Sequence, residues 1–244
     1  LNLLYKNDAN TVANDTFNNR AANCLSLTIM TYALAEYADM GVRFQQVLTP
    51  DLWVRREGTS LLNRHINLRL YANTKERVVL YDNKSYQLDF DRRSQSFHLP
   101  IIVVDKQRVL AMFYNNKGAE ALIKGNHTKA YAYFRSALTT DSLLVEASTN
   151  LGILYRRAGR LDYAESTYQQ ALAIDKDDSS TWENLAYIYN ITDRKEQANS
   201  INNRIQKQRK SNPFYHFMLG EIEYEKKAWQ QAINHFRAAI DLDA

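Results

Sequence analysis

The chain has 244 residues, 45% hydrophobic and 24% charged, a balance that fits a folded chain of one large or two modest domains and excludes an intrinsically disordered one. Seven Gly and three Pro exclude collagen-like and Pro-rich chains, and a single Cys excludes an internal disulfide framework or a zinc site of several thiolates. The net charge of +4 is spread evenly: residues 111–244 carry 17 Lys+Arg and 16 Asp+Glu, residues 1–110 carry 14 and 11, and neither part has the basic excess of a nucleic-acid binder.

No run of 18 apolar residues occurs, so no membrane span is expected. The chain opens on Leu1 rather than Met. A natural N-terminal segment, with any signal peptide or lipid anchor, is therefore expected to lie outside it.

Residues 1–110 show no internal period. A helix reads from Asn23 to about Asp39, with Cys24, Leu27, Thr28, Thr31 and Ala35 along one face and Ile29, Tyr32 and Ala33 beside it. Asn23 suits the N-cap and Gly41 suits the stop. Val42–Val47 reads as a strand, followed by a loop through Pro50, Trp53 and Gly58. His65–Tyr71 alternates, with Ile66, Leu68 and Leu70 on one side. Val78–Tyr81 and Tyr86–Phe90 read as further strands joined by the turn Asp82-Asn83-Lys84. A helix followed by strands predicts an α+β unit with an antiparallel sheet. Residues 92–110 form the crossing into the second half.

From residue 111 the sequence repeats. Gly118, Gly152, Ala186 and Gly220 are 34 apart; so are Ala130, Ala164, Ala198 and Ala232; Phe134, Tyr168, Asn202 and Phe236; and Ala137, Ala171, Ile205 and Ala239. The period predicts four antiparallel helix pairs over 111–244. Small residues in the first two series let helices approach closely, and the aromatic series is expected to fill the gap between neighbouring units. Lys124-Gly125-Asn126 and Arg157-Ala158-Gly159-Arg160 turn the chain. Asp175-Lys176-Asp177-Asp178 suits a helix start. Unit three departs from the pattern at Asn202 and Ile205, which predicts different packing of its second helix. The basic cluster Arg204, Lys207, Arg209 and Lys210 lacks interleaved aromatics, so a solvated helix face is expected there rather than a phosphate patch.

The period, the small residues and the aromatics resemble tetratricopeptide repeats, most plainly in NLGILYRRAGRLDYAESTYQQALAID and in TWENLAYIY, which supplies Trp182. Such arrays expose an extended concave face, lined by the first helix of each unit. Asn116, Asn150 and Asn184 recur there at the same step, followed by Met218. Two uses fit this ladder: amides pairing with the backbone of an extended peptide, or amides pairing with neighbouring helices and water. Phe214, Phe217 and Tyr224 in the last unit suit an apolar pocket, a capped core or a contact with a further segment.

Cys24, the sole thiol, falls at a helix N-terminus, where the dipole and free N–H groups favour thiolate. His65 opens a strand and Asp89 ends one. Nucleophile, base and orienting carboxylate in that order make a thiol–imidazole–carboxylate relay. Each residue taken singly also has a structural reading: a small buried thiol, a strand-opening imidazole, a solvent-facing carboxylate that Asp91 would share.

The strings NNRAANCLSLTIMTYALAEYADMGVRFQQV, LLNRHINLRL and YQLDFD resemble the transglutaminase-like superfamily of the papain-like cysteine fold, in its bacterial form with C-terminal tetratricopeptide repeats. That family places its nucleophile in R-x-G-N-C-L-S, its base in N-R-H-V-N and its carboxylate in V-D-F, which fall on Cys24, His65 and Asp89. Ala22 stands where the family has Gly, a departure that would strain a left-handed backbone. The resemblance implies a cysteine hydrolase or transamidase acting on peptide or protein amide bonds, with the repeats holding a protein substrate or partner. The alternative is a non-catalytic protein–protein interaction scaffold. It also implies a bacterial envelope or periplasmic location. Oxyanion donors are open among the Cys24 N–H and the amides of Asn18, Asn19 and Asn23. Five scattered His and one Cys give no metal-ligand spacing, so neither metal nor organic cofactor is expected, and the partners expected are protein or peptide rather than nucleic acid.

Overall fold

The computed structural model describes residues 3–6, 9–48, 65–71, 85–90 and 100–243. The loop through Pro50, Trp53 and Gly58, the strand at Val78–Tyr81, the turn at Asp82–Lys84, and Asp91 lie outside the described residues.

The N-terminal unit begins with a two-stranded parallel ladder, β1 (Leu4–Tyr5) on β2 (Ala21–Ala22), bracketing the short helix α1 (Ala13–Asn19). Helix α2 (Cys24–Tyr37) follows at once. Its N-cap is Asn23, whose side chain accepts from the Ser26 N–H at 2.9 Å, as the sequence predicts. The helix stops differently from the expectation. Asp39, not Gly41, takes the left-handed conformation (φ 57°), and the Met40 N–H closes the end on the Ala35 carbonyl at 2.9 Å. Gly41 instead opens β3 (Gly41–Val47).

Strands β4 (His65–Tyr71), β5 (Ser85–Leu88) and β6 (Ile101–Val104) complete an antiparallel sheet in the order β5-β4-β3-β6. β4 has the bounds read from its alternation. β5 starts and ends before the expected Tyr86–Phe90, so Asp89 sits just past its end. β6 is a strand within what the sequence suggested was only a crossing segment.

Four helix pairs follow: α3 (Lys106–Ile123) with α4 (His127–Thr140), α5 (Val145–Arg157) with α6 (Leu161–Ile174), α7 (Ser179–Ile191) with α8 (Lys195–Lys210), and α9 (Pro213–Glu225) with α10 (Trp229–Asp243). Ala130, Ala164, Ala198 and Ala232 are all buried at the helix contacts. Asp178 caps α7 by accepting from the Thr181 N–H at 2.7 Å.

Each ring of the aromatic series packs on the glycine of its own unit, and Phe134 and Tyr168 lie fully buried in the core shared along the array. A β-carbon on Gly118 would stand 2.5 Å from the Phe134 ring, one on Gly152 2.3 Å from Tyr168, and one on Gly220 2.5 Å from Phe236. Unit three exchanges both partners together: Ala186 replaces the glycine and Asn202 the ring.

The turn within each unit is also periodic. Gly125, Gly159, Asp193 and Lys227, again 34 apart, all have φ between 59° and 73°. The residue after each donates back to a carbonyl of the first helix: Asn126 to Ala121, Arg160 to Tyr155, Arg194 to Tyr189 and Ala228 to Glu223, at 2.8–2.9 Å.

The two halves share packing. Leu25 of α2, Phe44 of β3 and Ile66 of β4 form one core with Val109 and Met112 of α3 and with Leu144 and Ala147. α3 runs through position 110, so a helix rather than a linker joins the halves. The segment before α1 also crosses between them. Asn10 Nδ2 donates to the Phe113 carbonyl at 3.2 Å, and Ser26 Oγ, in the first turn of α2, donates to Asn10 Oδ1 at 3.4 Å.

Candidate active site and repeat groove

Cys24 is the first residue of α2 and is half-buried. At this position its own N–H has no intrahelical acceptor and is available to an oxyanion. Asn23 is committed to capping, and Asn18 and Asn19 are exposed at the end of α1. Ala22 is extended in β2 and is not among the positive-φ residues, so the Gly-to-Ala departure carries no backbone strain.

His65 opens β4 with 8% of its side chain exposed. Its Nε2 lies 2.8 Å from both Asp89 carboxylate oxygens. Cys24 also acts on His65 electrostatically, and with Nε2 held by Asp89 the ring nitrogen left for a thiol is Nδ1. Burial pulls the imidazole's pKa down. The Asp89 hydrogen bond and the Cys24 interaction outweigh it and push His65 up to about 10. The imidazolium is thus the favoured form at neutral pH.

Asn67 is a residue that the sequence reading passed over. It lies fully buried two positions beyond His65 on β4, and its Nδ2 donates to Asp89 Oδ2 at 3.1 Å. Strand alternation alone puts positions 65 and 67 on one face, and that was the signal available. Asn67 touches the carboxylate, not the thiol.

The asparagine ladder of the repeats is not an equivalent row. Asn150 is fully buried, and its Nδ2 donates to Asn115 Oδ1 at 2.8 Å. It ties α5 to α3 and cannot meet a peptide, which corrects the expectation for that rung. Asn184 is half-buried and donates to the Ser180 carbonyl at 2.8 Å; Asn116 is also half-buried. Beside them, Arg156 stacks on the exposed Tyr187 with its guanidinium 4.6 Å from the ring centroid. In the last unit Phe217 lies against Phe236 (ring centroids 5.3 Å apart) and Tyr224 against Trp229 (5.1 Å).

The basic cluster on α8 serves the array. Arg204 pairs with Asp177 at 3.1 Å and stacks on Trp182, and Arg209 pairs with Glu183. Among the described residues no group of three or more His, Cys, Asp and Glu gathers as a metal site, and no helix is long and apolar enough to cross a membrane.

Residues 121–186 match the family model described as tetratricopeptide repeat. This stretch of the chain carries tetratricopeptide repeats. Photosystem I assembly protein Ycf3 of Prochlorococcus marinus, in strains NATL1A and NATL2A, is 28% identical over 102 residues, 41% of this chain and 59% of that protein. The chain therefore matches about three fifths of the length of these curated relatives. Similar solved structures include the APC/C hetero-tetramer Cut9–Hcn1 (23% identity, 54% of this chain, 25% of that chain, TM-score 0.38). Another is the second such repeat domain of Spaghetti (RPAP3), bound to the HSP90 peptide SRMEEVD (14% identity, 42% and 97% covered, TM-score 0.39). A third is Pseudomonas aeruginosa pilF (16% identity, 54% and 60% covered, TM-score 0.38).

Proposed function

We propose that this protein is a scaffold that holds a protein or peptide partner through its repeats. The observation that carries this reading is the tetratricopeptide match over 121–186 on four stacked helix pairs. The curated relatives, which share only part of their length with it, are named as assembly proteins. The first helices of the units offer Asn116, Asn184 and the Arg156–Tyr187 stack to an extended segment. A photo-crosslinking residue placed at Tyr187 is expected to trap a protein partner in cells. The same residue at Tyr163, exposed on the second helix α6, is expected not to. Trapping from 163 alone, or from neither position, rejects the groove.

A second reading is favoured by the Cys24–His65–Asp89 arrangement: a transglutaminase-like centre in the N-terminal unit, acting on peptide or protein amide bonds. In this reading the Cys24 thiol proton passes to His65 Nδ1, giving the thiolate and imidazolium that react. The thiolate attacks an amide carbonyl, and the Cys24 N–H donates a hydrogen bond to the oxyanion that forms. The imidazolium Nδ1 proton passes to the leaving amine, and a thioester forms. Neutral His65 then deprotonates water (hydrolysis) or an incoming amine (transfer). Asp89 keeps the ring oriented throughout.

Dimethylcasein with a fluorescent primary amine reports transfer, and ammonia release reports hydrolysis. Cys24→Ala is expected to abolish both while leaving the circular dichroism spectrum unchanged. Turnover that survives this substitution rejects the cysteine assignment. Absence of turnover in the parent protein leaves the scaffold as the function.

A further inference from the structure

The helix that carries the thiol is held from outside at its first turn. Residues 9–11 run beside residues 23–26. The Asn23 N–H donates to the Ala9 carbonyl at 2.9 Å, and the Thr11 N–H donates to Ser26 Oγ at 2.9 Å. Cys24 lies between these two anchored residues. Asn10, at the centre of the segment, is 3% exposed, and Ser26 is fully buried. Ser26 Oγ passes its own proton on to Asn10 Oδ1 at 3.4 Å, and Asn10 Nδ2 donates to the Phe113 carbonyl at 3.2 Å.

An amide suits this place because it carries an acceptor and a donor on separate atoms. Its oxygen serves Ser26 on α2 while its nitrogen serves α3. A carboxylate in the same position could only accept. Phe113 lies within α3, where a carbonyl gives one lone pair to the helix and keeps a second for Asn10. One buried side chain therefore joins the start of the thiol's helix to the first helix of the repeats. One turn further along α2, Thr28 Oγ1 donates to the Ile66 carbonyl of β4 at 3.5 Å, next in the chain to His65. The helix is thus referenced to α3 at its first turn and to the histidine's strand at its second.

We propose that Asn10 is a positioning residue for Cys24: through Ser26 it fixes the first turn of α2 against α3, and with it the place of the thiol beside His65. The link to reactivity rests on the catalytic reading of Cys24, His65 and Asp89; the fixing of the helix start does not. Reacting groups misplaced by about 1 Å lose much of their rate, so a loosened first turn is expected to show at the sulfur.

Iodoacetamide labelling of Cys24 in the full chain, followed by mass spectrometry from pH 5 to pH 10, tests the proposal in the parent, Asn10→Leu, Ser26→Ala and the double variant. Leucine keeps a side chain branched at the same carbon and removes both hydrogen bonds. A thiol beside a charged imidazole labels fast at neutral pH. Asn10→Leu is expected to slow labelling at pH 7 about threefold or more, yet to leave the rate at pH 10, where a free thiol is ionised, within about twofold of the parent. Ser26→Ala is expected to act in the same direction. Because the two residues act in series, the double variant is expected to be no slower than the slower single. In a parent that labels faster at pH 7 than an ordinary thiol, an unchanged ratio of the two rates in Asn10→Leu overturns the proposal. So does a double variant slowed by the product of the two single effects.

Hydrogen exchange separates this outcome from failure of the catalytic reading. The Ser26 and Leu27 amides, which close the first turn on Asn23, are expected to exchange about tenfold faster in Asn10→Leu than in the parent. A parent that labels as an ordinary thiol defeats the catalytic reading, and faster exchange then still supports Asn10 as the residue that fixes the helix start. Unchanged exchange overturns the proposal in either case.

Discussion

His65 presents Nε2 to both carboxylate oxygens of Asp89 at 2.8 Å, from a position only 8% exposed. The pairing links stability to pH. A histidine raised from its ordinary 6.5 to about 10 stabilises the fold fully at pH values below the unfolded value, while Asp89 remains ionised. That contribution falls as pH climbs through the folded value. The melting temperature of the parent should therefore exceed that of His65→Gln most near pH 6, and the gap should close steadily toward pH 10. A gap that widens with rising pH would contradict the assignment of the charge to His65. Thermal melts of both proteins at half-unit pH steps measure it.

Asn67 holds the other side of the same carboxylate at 3.1 Å while itself fully buried. Removing a hydrogen bond to a buried charge costs about 1.5–3 kcal/mol. Asn67→Ala should lower stability by that order. It should also slow iodoacetamide labelling of Cys24 at pH 7, because a loosened Asp89 no longer orients His65. Asn67→Asp should slow it further by adding a like charge beside Asp89. An Asn67→Ala protein with lower stability but an unchanged labelling profile across pH would reduce Asn67 to a packing role.

Much of this architecture is legible in the residues because the signals are local or periodic. Asn23 reads as a cap because its side chain serves the next turn, and His65–Tyr71 reads as a strand because its apolar residues alternate. The 34-residue step survives even where unit three changes its residues. The elements that escape are those without such a signal. α1 has one buried residue, Thr16, and no apolar stripe. β6 is four apolar residues without alternation, and β1 and β2 are two residues each. Asp39 escapes because a left-handed cap reads more readily as Gly41, four residues past Tyr37, where α2 ends. Asn150 fits the ladder by spacing, but only three-dimensional packing reveals that Asn115 takes its amide. The partnership of His65 with Asp89 joins two strands whose connection offers no short-range cue. It is legible from the element each residue occupies, a helix start, a strand start and a strand end, and from the family resemblance, rather than from spacing.

The glycine–ring pairs predict a rescue. Gly152→Ala forces a β-carbon to within 2.3 Å of the Tyr168 ring and should destabilise the array by about 1–3 kcal/mol. Unit three carries a compensated pair, since Ala186 stands at the glycine's position and the exposed Asn202 at the ring's. Gly152→Ala with Tyr168→Asn should therefore be more stable than the sum of the two single changes allows, by about 1 kcal/mol or more. Urea unfolding of the four proteins in the cycle measures the coupling, and strict additivity would deny that ring and glycine exclude each other.

The periodic left-handed turns predict opposite effects of glycine in different units. Gly125 and Gly159 meet the conformation without a side chain, whereas Asp193 and Lys227 adopt it at φ 59° and 61°. A non-glycine residue there costs about 1–2 kcal/mol, less for Asp, whose short polar side chain tolerates the region. Glycine in turn loses more entropy on folding, by roughly 0.5–1 kcal/mol. The balance favours Lys227→Gly, which should raise the stability of the last helix pair by up to about 1 kcal/mol. Asp193→Gly should be nearly neutral. Gly159→Ala should be destabilising through backbone strain alone, since a β-carbon there meets nothing within 4 Å. Hydrogen exchange of α9 and α10 amides reads the first substitution where it acts. Slower exchange in Lys227→Gly is the expected result, and faster exchange would show that the lysine side chain stabilises the turn by more than its backbone costs.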